Sequence, residues 1–162
     1  MNAPYEPSAT ERRAIELARI ALIAKMRGAH DQAIQATQQL NDEVGSEWLE
    51  VAMSAWIDTF AVRVLGVVPG GHKQVHLHFL GLHHDACEGE CGQPHGVTGA
   101  EEVRRPEVVW AGQLMAARIA DDAATWGALL HALPEDELEA GRHVAAVLEV
   151  CALSLVTHGV TA

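Results

Sequence analysis

Along most of the chain, apolar residues recur at three- and four-residue steps, the period of a helix with one buried face. Ser8-Ala9-Thr10-Glu11 has the form of a capping box, in which the Ser8 and Glu11 side chains satisfy free amides reciprocally. It opens a helix predicted to run to about Arg27, apolar at Ile15, Ala18, Leu22 and Met26, with basic residues in its last turn. Gly28 stands where a left-handed residue ends such a helix. A shorter, more polar helix follows over 31–41, with a narrow stripe of Ile34, Thr37 and Leu40. Ser46 is placed to cap a third, which carries Leu49, Met53, Trp56, Ile57, Phe60 and Val64 and is closed by Gly66.

Helical periodicity returns at Pro106, a residue that loses nothing at the first helical position. Val109, Trp110, Leu114, Ala117 and Ile119 mark that helix. Asp121-Asp122 fits either the cap of a new segment or two polar positions within one long helix; Trp126, Leu129, Leu130 and Leu133 follow. Pro134-Glu135-Asp136-Glu137 places acids at the positive end of a helix dipole and starts a last helix, which reaches about His158-Gly159. From Val144 to Val156 that helix is apolar nearly all round, as expected of a central helix or one that faces a partner subunit.

These elements predict an all-α fold, a compact bundle of five or six helices forming one domain over 1–162, with a loose arm at 1–7. Between about 66 and 105 lies an irregular connection, too long to be a neutral loop. Within it, Val75, Leu77 and Phe79 alternate with His76 and His78 after the Pro69-Gly70-Gly71 turn, the pattern of a short strand or β-hairpin.

Composition reinforces the helical reading. Alanine accounts for 27 of the 162 residues and aromatic residues for only seven, which favours close-packed helices. The net charge is −11, and beyond residue 105 eight acidic residues face only Arg118 and Arg142. Such a surface repels phosphate backbones, so nonspecific nucleic-acid binding is not expected; divalent cations or a basic partner suit it, and so does a plain solubilising role. The N-terminal MNAPYEPSATERR lacks a basic-then-apolar signal, and no stretch reaches 18 uninterrupted apolar residues. Three cysteines form no disulfide framework. The expectation is a cytoplasmic protein without a membrane role.

The connection holds the distinctive chemistry. From His72 to His95 it carries six of the ten histidines and two of the three cysteines. His84-x2-Cys87-x3-Cys91-x3-His95 supplies four zinc-type ligands, with His76, His78 and His83 as alternates. On one straight helix these four would share a face and could not surround an ion; Gly89, Gly92 and Pro94 supply the breaks that a tetrahedron requires. Asp85, Glu88 and Glu90 add charge that favours a cation. The plainer alternative is a solvated polar loop, and a third is a redox pair of Cys87 and Cys91.

Other constellations are poorer. GVVPGGHK, residues 66–73, has its lysine one place late for a phosphate loop and no Ser or Thr after it. No G-x-S-x-G elbow frames a serine. His84-Asp85, after apolar FLGL in a helical chain, resembles the core dipeptide of HD-domain metal phosphohydrolases. That resemblance implies metal-dependent hydrolysis, with an upstream ligand at His30, His72 or His76 and a downstream one at Asp121 or Asp122. The Gly- and Cys-rich continuation after Asp85 departs from the helix that the family places there. His30, His131, His143 and His158 read as surface or helix-end residues, Cys151 as a small buried hydrophobe, and the four tryptophans as packing residues.

The leading expectation is a noncatalytic interaction or regulatory protein whose zinc orders a recognition loop for a protein partner, a second copy included. An HD-type phosphohydrolase is the alternative, and a metal or redox sensor the third reading.

Overall fold

A computed structural model of the chain describes residues 6–68 and 105–162. Helix accounts for 78% of these residues, and none of them is in a strand. The elements are α1 (Ala9–Met26), α2 (His30–Glu43), α3 (Trp48–Phe60), a π-helical turn (Ala61–Leu65), α4 (Pro106–Ile119), α5 (Ala123–His131) and α6 (Glu137–Thr157). The expected turn at 69–71, the strand over 75–79 and residues 1–5 of the N-terminal arm lie outside the described residues.

Local chemistry accounts for most helix ends. Ser8 Oγ accepts the Glu11 amide at 3.1 Å and starts α1. At its other end Gly28 has φ of 75°, its amide bonds the Lys25 carbonyl at 3.1 Å, and the Ala29 amide reaches back to the Ala24 carbonyl at 2.9 Å. This pair of bonds is a Schellman motif. The same motif decides the Asp121-Asp122 question. Asp121 adopts φ of 56°, its amide bonds Arg118 at 3.2 Å, and the Asp122 amide bonds Ala117 at 2.9 Å, so α4 stops. Asp122 then turns its carboxylate to the Thr125 amide at 3.0 Å and caps α5. Asp136 does the same for α6, accepting from the Glu139 amide at 2.9 Å.

One predicted cap differs. Glu47, not Ser46, is the residue before α3, and no side chain caps that end. The turn at 45–48 supplies the bonds instead, with the Trp48 amide on the Gly45 carbonyl at 3.1 Å and the Leu49 amide on Ser46 at 3.0 Å. Backbone carbonyls thereby take the amides that a serine hydroxyl would have accepted.

The buried face of the first two helices is also not the one drawn by the large aliphatics. In α1 it is Ala14, Leu17, Ala18, Ala21, Leu22 and Ala24, while Ile15 is 44% exposed. In α2 it is Ala33, Ala36 and Leu40, with Ile34 exposed. The two helices pack on each other, and small side chains let their backbones approach closely. Alanine supplies four of the six buried residues of α1 and two of the three of α2.

α6 is the centre, packing against α1, α3 and α4. It is long and apolar enough to cross a membrane, and half of its apolar window is buried among the other helices. Val147, Cys151 and Leu155 are fully buried there, beside a core that includes Leu17, Leu40, Met53, Trp56, Ile57, Phe60, Leu114 and Met115. Trp56 joins α3 to α1: it is 1% exposed, and its Nε1–H donates to the Ala18 carbonyl at 2.8 Å. A buried indole needs such an acceptor, because an unpaired N–H in the core costs about 1–3 kcal/mol.

Candidate functional site

The ligands expected from the sequence, His84, Cys87, Cys91 and His95, lie outside the described residues, as do the alternates His76, His78 and His83. The structure shows instead how the chain leaves α3 and enters α4 on either side of them. After the π-helical turn, Gly66 takes a left-handed conformation (φ 67°) and the Val67 amide bonds the Ala61 carbonyl at 3.1 Å. At the far end Arg105 precedes Pro106, with its guanidinium 3.3 Å from Glu149 of α6 and 3.7 Å from Glu107. The Arg105–Glu149 pair is solvent-exposed and contributes about 1 kcal/mol or less; the partly buried Glu107 is held at the longer distance. They orient the start of α4 more than they stabilise it.

The remaining histidines are separate from one another in role. His30 opens α2 and His131 ends α5. His143 places Nδ1 2.8 Å from the Glu139 carbonyl and sets its ring edge-on to Trp110, with centroids 5.3 Å apart. His158 caps α6, with Nδ1 2.8 Å from the Ser154 carbonyl. Among the described residues, no group of three or more His, Cys, Asp or Glu side chains is arranged to hold a metal ion.

Two residues with reactive side-chain types are committed elsewhere. Cys151 is fully buried, and burial pushes its thiol far above the usual range, so it stays protonated and packs as a small hydrophobe. Asp122 receives the Thr125 hydroxyl at 2.6 Å and the Thr125 amide at 3.0 Å, and these two bonds hold its carboxyl below the ordinary range. A carboxylate used in this way as a helix cap is a poor second ligand for a hydrolytic metal. Asp121 ends α4 in the left-handed turn.

Two features had no local sequence signal. One is a polar cluster joining α3, α4 and α5. Arg118 grips Asp58 through both carboxylate oxygens at 2.9 Å, and its guanidinium lies 5.9 Å from the Trp126 ring centre. Trp126 Nε1–H donates to Glu50 at 2.8 Å. The bidentate bond to Asp58 holds the Arg118 guanidinium in its charged form. With Arg118 Nε and one Nη bonded to Asp58 and the guanidinium set against Trp126, the cluster reads as a tie between helices.

The other feature is a groove of about 220 Å³ between the α1–α2 corner and α6, lined by Lys25, Met26, His30, Glu149, Leu153 and Val156 among others. Ordinary ligand pockets hold about 300–1,000 Å³, so this crease is small for a metabolite. No family model matches this chain, and neither a curated protein nor a solved structure does.

Proposed function

We propose that this chain is a small cytoplasmic zinc protein with a noncatalytic, interaction or regulatory role. A compact bundle of the six helices carries residues 76–95 as a metal-ordered recognition loop for a protein partner, which includes a second copy of the chain. The observation that carries this reading is the spacing His84-x2-Cys87-x3-Cys91-x3-His95, with helix-breaking glycine and proline between the ligand positions. Two features of the flanking helices support it. A π-helical turn, an element frequent beside functional sites, ends α3 just ahead of the segment. The described core is also continuous across α1, α2, α3, α4 and α6, so in this reading the metal would order the loop and not the helices.

Hydrolysis ranks second. The His84-Asp85 dipeptide still carries it, but the capping role of Asp122 weakens one of its two downstream candidates. The thiol pair of Cys87 and Cys91 keeps a sensor role third.

The test is elemental analysis of untagged protein purified without added metal. About one zinc per chain is expected, with loss of that zinc in the double variant Cys87→Ser/Cys91→Ser and an unchanged helical circular dichroism signal after chelation. Full zinc retention in the double variant overturns the cysteine assignment. Metal-dependent turnover of phosphate esters by the wild type would move the hydrolase reading to first place.

A further inference from the structure

α5 is held differently from the other described helices. Its nine residues include none that is buried, whereas each of the other five helices buries at least three. Trp126, Leu129, Leu130 and Leu133 fall at i, i+3, i+4 and i+7 and are only partly buried against the core. Its one extensive packing partner is α4. What fastens it besides that stripe is a set of individual contacts: Trp110 Nε1–H on the Leu129 carbonyl at 3.0 Å, Trp126 Nε1–H on Glu50 at 2.8 Å, and Arg118 over the Trp126 ring.

The two ends of α5 are both suited to pivot. On one side Asp121 holds a left-handed conformation that side chains other than glycine adopt at a cost. On the other, Pro134 cannot continue a helix and sits between α5 and the separately capped α6. Regions with little buried apolar contact open at free energies well below that of global unfolding, in contiguous units.

We infer that α5 is a strap: it opens and recloses on α4 as a unit, turning at Asp121 and Pro134, while the other helices stay folded. Opening frees the Trp110 indole N–H and uncovers the part of α4 on which α5 packs.

Native-state amide hydrogen exchange on the full chain, as purified, tests it. The hydrogen-bonded amides of α5, Gly127 to Leu130, are expected to exchange at one common protection level, at least about tenfold faster than Val147 to Cys151 of α6 after correction for intrinsic rates. Trp126→Ala should speed the α5 amides further and leave the α6 amides unchanged. Glu50→Gln, which keeps the shape of the acceptor and removes its charge, should do the same to a smaller degree. Protection of α5 within about tenfold of α6 overturns the inference, as does a gradient running in from the ends, which is simple fraying. Equal acceleration of α5 and α6 in both variants also overturns it.

Discussion

α5 and α6 are neighbours in sequence and both rich in apolar residues, yet they end in opposite environments. Six of the nine α5 residues are alanine, leucine or tryptophan, and none is buried. α6 begins with a charged turn and then buries nine residues, from Val144 to Leu155. Apolar content does not separate the two helices; length and number of neighbours do. Twenty-one residues let α6 run past α1, α3 and α4, whereas α5 is two and a half turns long and meets chiefly α4. Burial in this protein follows from how many helices a segment can touch at once.

Breaking α6 should give the largest effect. Leu155 is fully buried at the centre, and Leu155→Ala is expected to lower global stability by about 2–5 kcal/mol, read from denaturant unfolding. Leu129→Ala makes the same chemical change in α5, at a partly buried position. Its effect should fall below about 1.5 kcal/mol, since little of the lost contact leaves a closed cavity. Equal losses from the two would contradict the contrast in burial.

The caps sharpen the comparison. Asp136→Ala removes the α6 cap and should reduce global stability by about 1 kcal/mol. Asp122→Ala removes the equivalent bonds from α5 and should appear mainly as faster α5 amide exchange, with a small shift of the global midpoint. Asp121→Gly should act in the other direction, stabilising the α4–α5 junction by up to about 1 kcal/mol, because glycine accepts φ of 56° without strain. A loss on that substitution would show that the Asp121 charge near Arg118 matters more than the backbone.

Acid should produce the smallest effect. The Thr125 hydroxyl and amide hold the Asp122 carboxyl below its ordinary range, so this group binds protons more weakly in the folded state than in the unfolded one. Its contribution is fully present above the ordinary carboxylate range and is lost as pH falls through the lowered folded value. Exchange of α5 amides, corrected for intrinsic rates, should therefore be flat from neutral pH to about pH 5 and rise only below about pH 4. In Asp122→Asn that acid-dependent rise should be absent.

Helix positions were largely legible because their signals are local. Ser8, Gly28, Asp136 and Gly159 mark ends through bonds that span three to five residues. The faces of α1 and α2 were not, since Ile15 and Ile34 have the stronger apolar signal and the structure passes them over. Close helix packing favours small side chains, and the buried positions of α1 and α2 include Ala18, Ala21, Ala33 and Ala36. The Arg118–Asp58 pair spans sixty residues and left no mark in either local pattern. The zinc ligands proposed at His84, Cys87, Cys91 and His95 were legible as residue types and spacing alone; tetrahedral coordination is a property of positions in space.

By itself, then, the order of residues determined that this chain is helical, where most helices begin and end, and which stretch concentrates histidine and cysteine. Capping, glycine placement and ligand type act over a few residues and need no partner. Only the tertiary structure decided that α6 is central and α5 peripheral, that alanines supply most of the buried positions of α1 and α2, and that Trp126 reaches Glu50 while Arg118 grips Asp58. Those outcomes depend on which surfaces meet, and close packing selects among faces that local periodicity leaves equivalent.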